Sequence, residues 1–280
     1  MKNVYFASSL MWDAPPREIV RMAVKYDVGG IELWAQQAET QNMDLIRLKD
    51  LTEEAGLSLV VHAKSWDLNF AALNRAVREA SVKEIKDSID IAYFLDGKEV
   101  TVHPPRYTLR EDEKARDRAY ESIREFTTYA VQKGITVSME IMEHIPKEMA
   151  VSPEGMRSIV RDMDRQVTYT VDLAHCLTEE EFWENIDIMG KVSKVHVTNK
   201  SGKKLHTPLP DGDFHFENIF PRLCAMGIPM VIEGFEEGDR YSALIQNLEY
   251  IKWLKEKNYE KENSGDFSYI SNPGSCRLQF

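Results

Sequence analysis

Apolar and polar positions along this chain change period again and again. Short apolar runs, many of them β-branched, alternate from residue 4 onward with longer stretches whose apolar residues recur at helical spacing. Each run feeds a helical stretch, which is the βα rhythm of a parallel sheet. The runs predict strands over 4–7, 31–34, 57–62, 100–103, 135–140, 167–172, 192–197 and 230–233. Helices are predicted over 16–26, 44–56, 71–95, 111–133, from 152, from 178, over 216–226 and over 241–257. Pro16 suits a helix start, and Gly56, Gly134 and Gly227 suit helix ends. Thr178-Glu-Glu-Glu181 reads as a capping box. Eight strands alternating with eight helical segments predict a single (β/α)8 TIM barrel over 1–258. A doubly wound open sheet is the competitor, but it gathers its site at one switch point. Residues 259–280 are polar and turn-rich and are expected to form an extension beyond the barrel.

The strand ends carry the chemistry. His62 closes the third predicted strand, His103 the fourth, Glu140 the fifth, Asp172 the sixth and Glu233 the eighth. His196 lies within the seventh, His175 follows Asp172, and His206 sits in the loop after the seventh. In a parallel barrel these side chains converge on one mouth. A lone strand-end glutamate is usually a salt-bridge or capping group. Three carboxylates crowded together would resist ionisation, and a divalent cation removes that repulsion. Glu140, Asp172, His196 and Glu233 are therefore expected to ligate Mn²⁺, Mg²⁺, Co²⁺ or Zn²⁺. His62 and His103 read as a second ligand group with Glu140 or as contacts to substrate hydroxyls. His175 and His206 face the same mouth, while His144 and His215 read as loop or surface residues. Trp34 and Trp66 suit the apolar face of a sugar ring, or ordinary rim packing.

Composition narrows the class. A chain of 280 residues holds one large barrel or two smaller domains, and no linker divides this one. No apolar run is long enough to cross a bilayer, and the N-terminus is a poor signal peptide. An odd set of cysteines, Cys176, Cys224 and Cys276, argues against a disulfide framework and for a reducing cytoplasm. A net charge of −11 disfavours nucleic acid as partner. Lys191, Lys194, Lys200, Lys203 and Lys204 bracket the seventh strand. The common reading is a solvated face. The functional one is an anion site near the late loops, with Lys200 as a contact and a sugar phosphate preferred to the free sugar.

Taken in order, several short motifs resemble the xylose isomerase-like TIM-barrel family, which spans sugar isomerases and epimerases and the endonuclease IV branch. They are Gly30-Ile-Glu-Leu, His62-Ala with Asp67-Leu-Asn, Val102-His103-Pro and Met139-Glu140. Val171-Asp172-Leu-Ala-His175, Val195-His196-Val, His206-Thr-Pro-Leu-Pro-Asp-Gly212-Asp and Ile232-Glu233 complete the series. In the epimerase branch the resemblance implies a metal on Glu140, Asp172, His196 and Glu233. Glu140 and Glu233 then exchange protons with the substrate through an enediolate, and His175 positions a hydroxyl or carbonyl. The endonuclease IV branch implies three zinc ions that also use His62, His103, His175 and His206. That branch has an aspartate two residues before the last histidine, where this chain has Lys204. The expected function is thus a metal-dependent sugar or sugar-phosphate isomerase or epimerase. The alternatives are a zinc phosphodiesterase acting on abasic DNA and a non-catalytic polyol-binding barrel. No membrane partner is expected, and a homo-oligomer is left open.

Overall fold

The computed structural model describes residues 1–264. Eight parallel strands close into a barrel, and the helices ring it. The barrel strands are β1 (Val4–Ala7), β2 (Gly30–Trp34), β3 (Ser58–His62), β4 (Glu99–Val102), β5 (Thr136–Ile141), β6 (Val167–Asp172), β7 (Val192–Val197) and β10 (Met230–Ile232). Each pairs with its sequence neighbours, and β10 closes the ring against β1 through Val4–Met230 and Phe6–Ile232. The expected (β/α)8 barrel is therefore the fold.

Helices α1 (Pro16–Lys25), α3 (Leu45–Ala55), α4 (Arg75–Phe94), α5 (Glu113–Gln132), α6 (Pro153–Val160), α7 (Glu179–Met189) and α8 (Phe216–Met226) fall within the predicted segments. Their starts are fixed locally: Asp44, Asn74, Asp112, Ser152 and Thr178 each accept a backbone N–H of the first turn. One α-helix and two strands were not expected. Helix α2 (Ala35–Thr40) follows β2 directly, and β8 (Asn199–Ser201) pairs antiparallel with β9 (Lys204–Thr207) in what reads from sequence as a loop. The last helix, α9 (Ser242–Ser264), outruns its expected end at 257. It enters the predicted extension, whose remainder, 265–280, lies outside the described residues. Among the described residues no helix is long and apolar enough to cross a membrane.

Strand alternation sorts the side chains into two layers. Phe6, Ile31, Leu33, Val61, Val100, Val137, Met139, Val171, Val195 and Ile232 face outward and join the core between barrel and helices. The alternate positions face inward. They include Glu32, Thr101, Ser138, Thr170, Lys194 and His196, so much of the barrel interior is polar. The Thr101 hydroxyl donates to Glu32 Oε1 (2.7 Å) from β4 to β2, and the Lys194 ammonium reaches Glu99 from β7 to β4. A small apolar cluster of Tyr5, Ala7, Trp34 and Val231 completes the inside. Gly30 makes room for it, because the Tyr5 ring lies 2.4 Å from where a Gly30 Cβ would be.

Candidate metal centre and substrate pocket

Parallel register brings the strand-end residues to one level. Asp172 is the register partner of His196, and His196 of Val231, so Glu233 emerges just beyond them. Glu140, Asp172, His196 and Glu233 are all buried, and their ligating atoms lie within 4.8 Å of one another. His196 Nδ1 is 2.7 Å from Glu233 Oε2 and 3.2 Å from Glu140 Oε1. Gly234 fixes the exit of the last strand at φ +151°, where a Cβ would meet Leu10 at 2.9 Å.

The electrostatics follow from burial. Burial pushes the Asp172 carboxyl well above its usual range against the pull of His175, and the Glu233 and Glu140 charges add to it. Burial also opposes ionisation of Glu140, but His196 and His103 outweigh it and hold that carboxyl well below its usual range. Burial depresses the His196 imidazole, yet Glu233, Glu32 and Glu140 raise it well above its ordinary value. His175 rises to about 9 because Asp172 and Glu140 overcome its burial. Burial lowers His206. The cluster thus draws positive charge towards itself.

A cation fits this donor set on a structural observation. Glu140 Oε2, Asp172 Oδ2 and Glu233 Oε2 are buried without a hydrogen-bond partner among the described residues. Such atoms are costly unless something positive satisfies them. Three carboxylates and one imidazole suit a hard or borderline divalent ion.

The remaining predicted residues surround this centre. His62 Nε2 is 3.0 Å from His103 Nε2, and both face Glu140 Oε2, at 3.6 Å and 3.2 Å. His62, His103 and Glu140 form a second group able to hold a metal, and Asp172, His175 and His206 a third. His175 Nδ1 lies 3.0 Å from the Ile141 carbonyl, and His206 Nδ1 lies 2.9 Å from the Thr198 hydroxyl. Trp34 stacks on His62 at 4.2 Å between ring centroids. Over this centre opens a cavity of about 580 Å³, lined among others by Trp34, His103, His175, His206, Glu233 and Trp66. His62 stacks against Trp34 and does not line the cavity.

The lysine patch is not a patch. Lys194 is inside the barrel. Lys200 is buried, its ammonium on the Cys176 carbonyl and 4.9 Å from the Phe214 ring centre, away from the cavity. Lys200 does not line the cavity. Lys203 and Lys204 are exposed on the β8–β9 hairpin, and Lys191 pairs with Asp164. Of the two unassigned histidines, His144 pairs with Glu181 at 2.6 Å and His215 precedes α8.

Sequence reasoning gave no role to Asp67, Arg106, Glu143 and Glu148, which line the cavity. They lie in the loops just past β3, β4 and β5, and that position in a parallel barrel was the available signal. Arg106 is paired with the buried Glu148. Glu32 was missed as well. Its Oε2 stands 2.9 Å from His196 Nε2 while its Oε1 stands 3.9 Å from Lys194 Nζ. Burial pushes Glu32 up, but His196 and Lys194 hold its carboxyl below the usual range.

Similar proteins agree with the fold. The uncharacterized protein MJ1311 of Methanocaldococcus jannaschii is 28% identical over 226 residues, covering 77% of each chain. A solved D-tagatose 3-epimerase-like protein superposes with a TM-score of 0.78 at 23% identity, covering 94% of this chain and all of that one. A solved L-ribulose 3-epimerase gives 0.77 at 16% identity, covering 96% of this chain and all of its own. Residues 20–257 match the model of the xylose isomerase-like TIM barrel, and the chain belongs to that family.

Proposed function

We propose that this chain is a divalent-metal-dependent isomerase or epimerase of sugars, moving a proton at a carbon beside a carbonyl. The observation that carries this reading is the buried set Glu140, Asp172, His196 and Glu233, with ligating atoms within 4.8 Å of one another. Similarity to structures titled as sugar epimerases supports it. When bound, Mn²⁺, Mg²⁺, Co²⁺ or Zn²⁺ supplies the positive charge that polarises the substrate carbonyl.

The chain's own residues do the rest. One carboxylate, Glu140 or Glu233, takes the proton from carbon. The C–H electron pair delocalises into the neighbouring carbonyl as an enediolate, and the second carboxyl returns a proton to the opposite face. Trp34, Trp66 and Phe235 cover an apolar ring face, while His103, His175 and His206 reach hydroxyls. The charged lining is Asp67, Glu143 and Glu233 against His175, with Arg106 and Glu148 paired to each other. That balance favours an uncharged sugar over its phosphate.

Metal inventory of the purified protein and solvent-deuterium uptake at the α-carbon of a ketose test the reading. Glu140→Gln and Glu233→Gln should each slow uptake by about 10²- to 10⁴-fold. Full uptake in both variants refutes it.

One observation favours a second reading. The groups His62–His103–Glu140 and Asp172–His175–His206 add two further places for a metal. Three sites are what a zinc phosphodiesterase of the endonuclease IV kind needs. The acidic cavity and exposed Lys204 weigh against it. Cleavage of an abasic-site oligonucleotide with zinc would establish this reading, and an intact oligonucleotide excludes it.

A further inference from the structure

The barrel interior holds a polar column that proton transfer at the mouth does not use. It begins beneath the metal centre. His196 Nδ1 faces the carboxylates of Glu233 and Glu140, and its other nitrogen, Nε2, points down to Glu32 Oε2 at 2.9 Å. The contact falls outside hydrogen-bond geometry, and neither atom has any hydrogen-bond partner among the described residues. Both side chains are fully buried, so bulk solvent does not reach them. Glu32 is itself anchored from two sides. The Thr101 hydroxyl donates to its Oε1 at 2.7 Å, and Lys194 Nζ approaches the same oxygen at 3.9 Å. Lys194 is in turn tied to Glu99, which accepts from the Thr168 hydroxyl at 3.1 Å. The column thus runs from β7 to β2 and back through β4 and β6.

An imidazole binds a metal through one nitrogen only when the proton sits on the other. We propose that Glu32 is a positioning residue that holds the Nε2–H of His196 and so presents the Nδ1 lone pair to the cation centre of Glu140, Asp172 and Glu233. This rests on the metal reading above. A carboxylate behind a ligating histidine fixes ring orientation and makes the ligand nitrogen more basic. Lys194 and Thr101 keep that carboxylate aimed, which explains why a barrel interior holds a buried ammonium at all. Glu32 touches no substrate, since it does not line the cavity.

The test compares Glu32→Gln with the parent, using Zn²⁺ and Mn²⁺ titration of the chelator-stripped protein. Side-chain ¹⁵N resonances of His196 are read in the Zn²⁺-loaded form. The expected result is binding weaker by about 10- to 100-fold, with the His196 resonances losing the single Nε2–H signature of the parent. A role in folding alone would lower thermal stability and leave the ¹⁵N signature of the loaded protein unmoved. Affinity within twofold of the parent, with that signature retained, overturns the proposal. Should Glu32→Gln fail to fold, Thr101→Val frees Oε1 while keeping the charge. It is expected to weaken Zn²⁺ binding in the same direction, and parent-like affinity with a parent-like ¹⁵N spectrum overturns the proposal equally. A parent that takes up neither ion refutes the metal reading itself, which is a separate result from a variant that binds as well as the parent.

Discussion

Lys194→Met removes an ammonium from the inside of the barrel. Its side chain is 1% exposed, and it lies against Glu99 and 3.9 Å from Glu32. At about 4 Å and an effective dielectric of about 20, one such pair is worth about 4 kcal/mol before desolvation. Taking the ammonium away leaves Glu99, 13% exposed, without its cation and leaves Glu32 facing His196 alone, and loss of one member of a buried pair costs about 3–5 kcal/mol. For a chain of this size each kcal/mol moves the thermal midpoint by about 2–4 °C, so a fall of roughly 6–20 °C is expected. Differential scanning calorimetry reads it directly. Lys83→Met is the control, because the Lys83–Asp87 pair is on the surface and its loss should not move the midpoint measurably. Adding Glu99→Met to Lys194→Met should recover much of the loss, since replacing both members of a buried pair by apolar groups is close to neutral. If Lys194→Met melts with the Lys83 control, the ammonium is not the keystone of the interior column and the argument from burial is wrong.

Two further outcomes follow from particular geometries. Gly234→Ala forces a Cβ towards Leu10 at a φ of +151° and should cost about 1–3 kcal/mol. It should also weaken Mn²⁺ binding by displacing Glu233, whereas Gly238→Ala, with nothing within 4 Å, should leave Mn²⁺ binding unchanged in the same titration. Asp164 accepts the Tyr169 hydroxyl at 2.5 Å, and that bond, with Lys191 against a smaller effect of burial, holds its carboxyl below the ordinary 3.8. Its stabilisation is therefore full above about pH 3.8 and is lost as pH falls towards the lower folded value. Asp164→Asn should shrink the difference between urea midpoints at high and low pH, and an unchanged difference would contradict the assignment.

Much of this architecture was legible in the chain. Period-two alternation and helix caps are local, so β1, β6, β7 and α8 fall on their predicted bounds. The convergence of Glu140, Asp172, His196 and Glu233 was legible too, because parallel strands of similar length end at one level. The hairpin β8–β9 was not, since it is short and one of its turn residues, Gly202, sits in a lysine-rich stretch that reads as solvated loop. Lys200 misled for the same reason: a lysine is normally a surface residue, and its burial depends on a carbonyl offered by Cys176 from another loop.

Sequence alone determined which residues sit on strands, which of their two faces is apolar, and which polar groups end at the mouth. Tertiary structure alone decided what fills the inside. Glu32, Glu99, Thr101 and Lys194 come from three strands far apart in the chain, and only closure of the ring brings their charges across a few ångströms of buried space. Pairing between distant buried charges leaves no periodic trace in a sequence, because it depends on distance through the barrel and not on spacing along the chain.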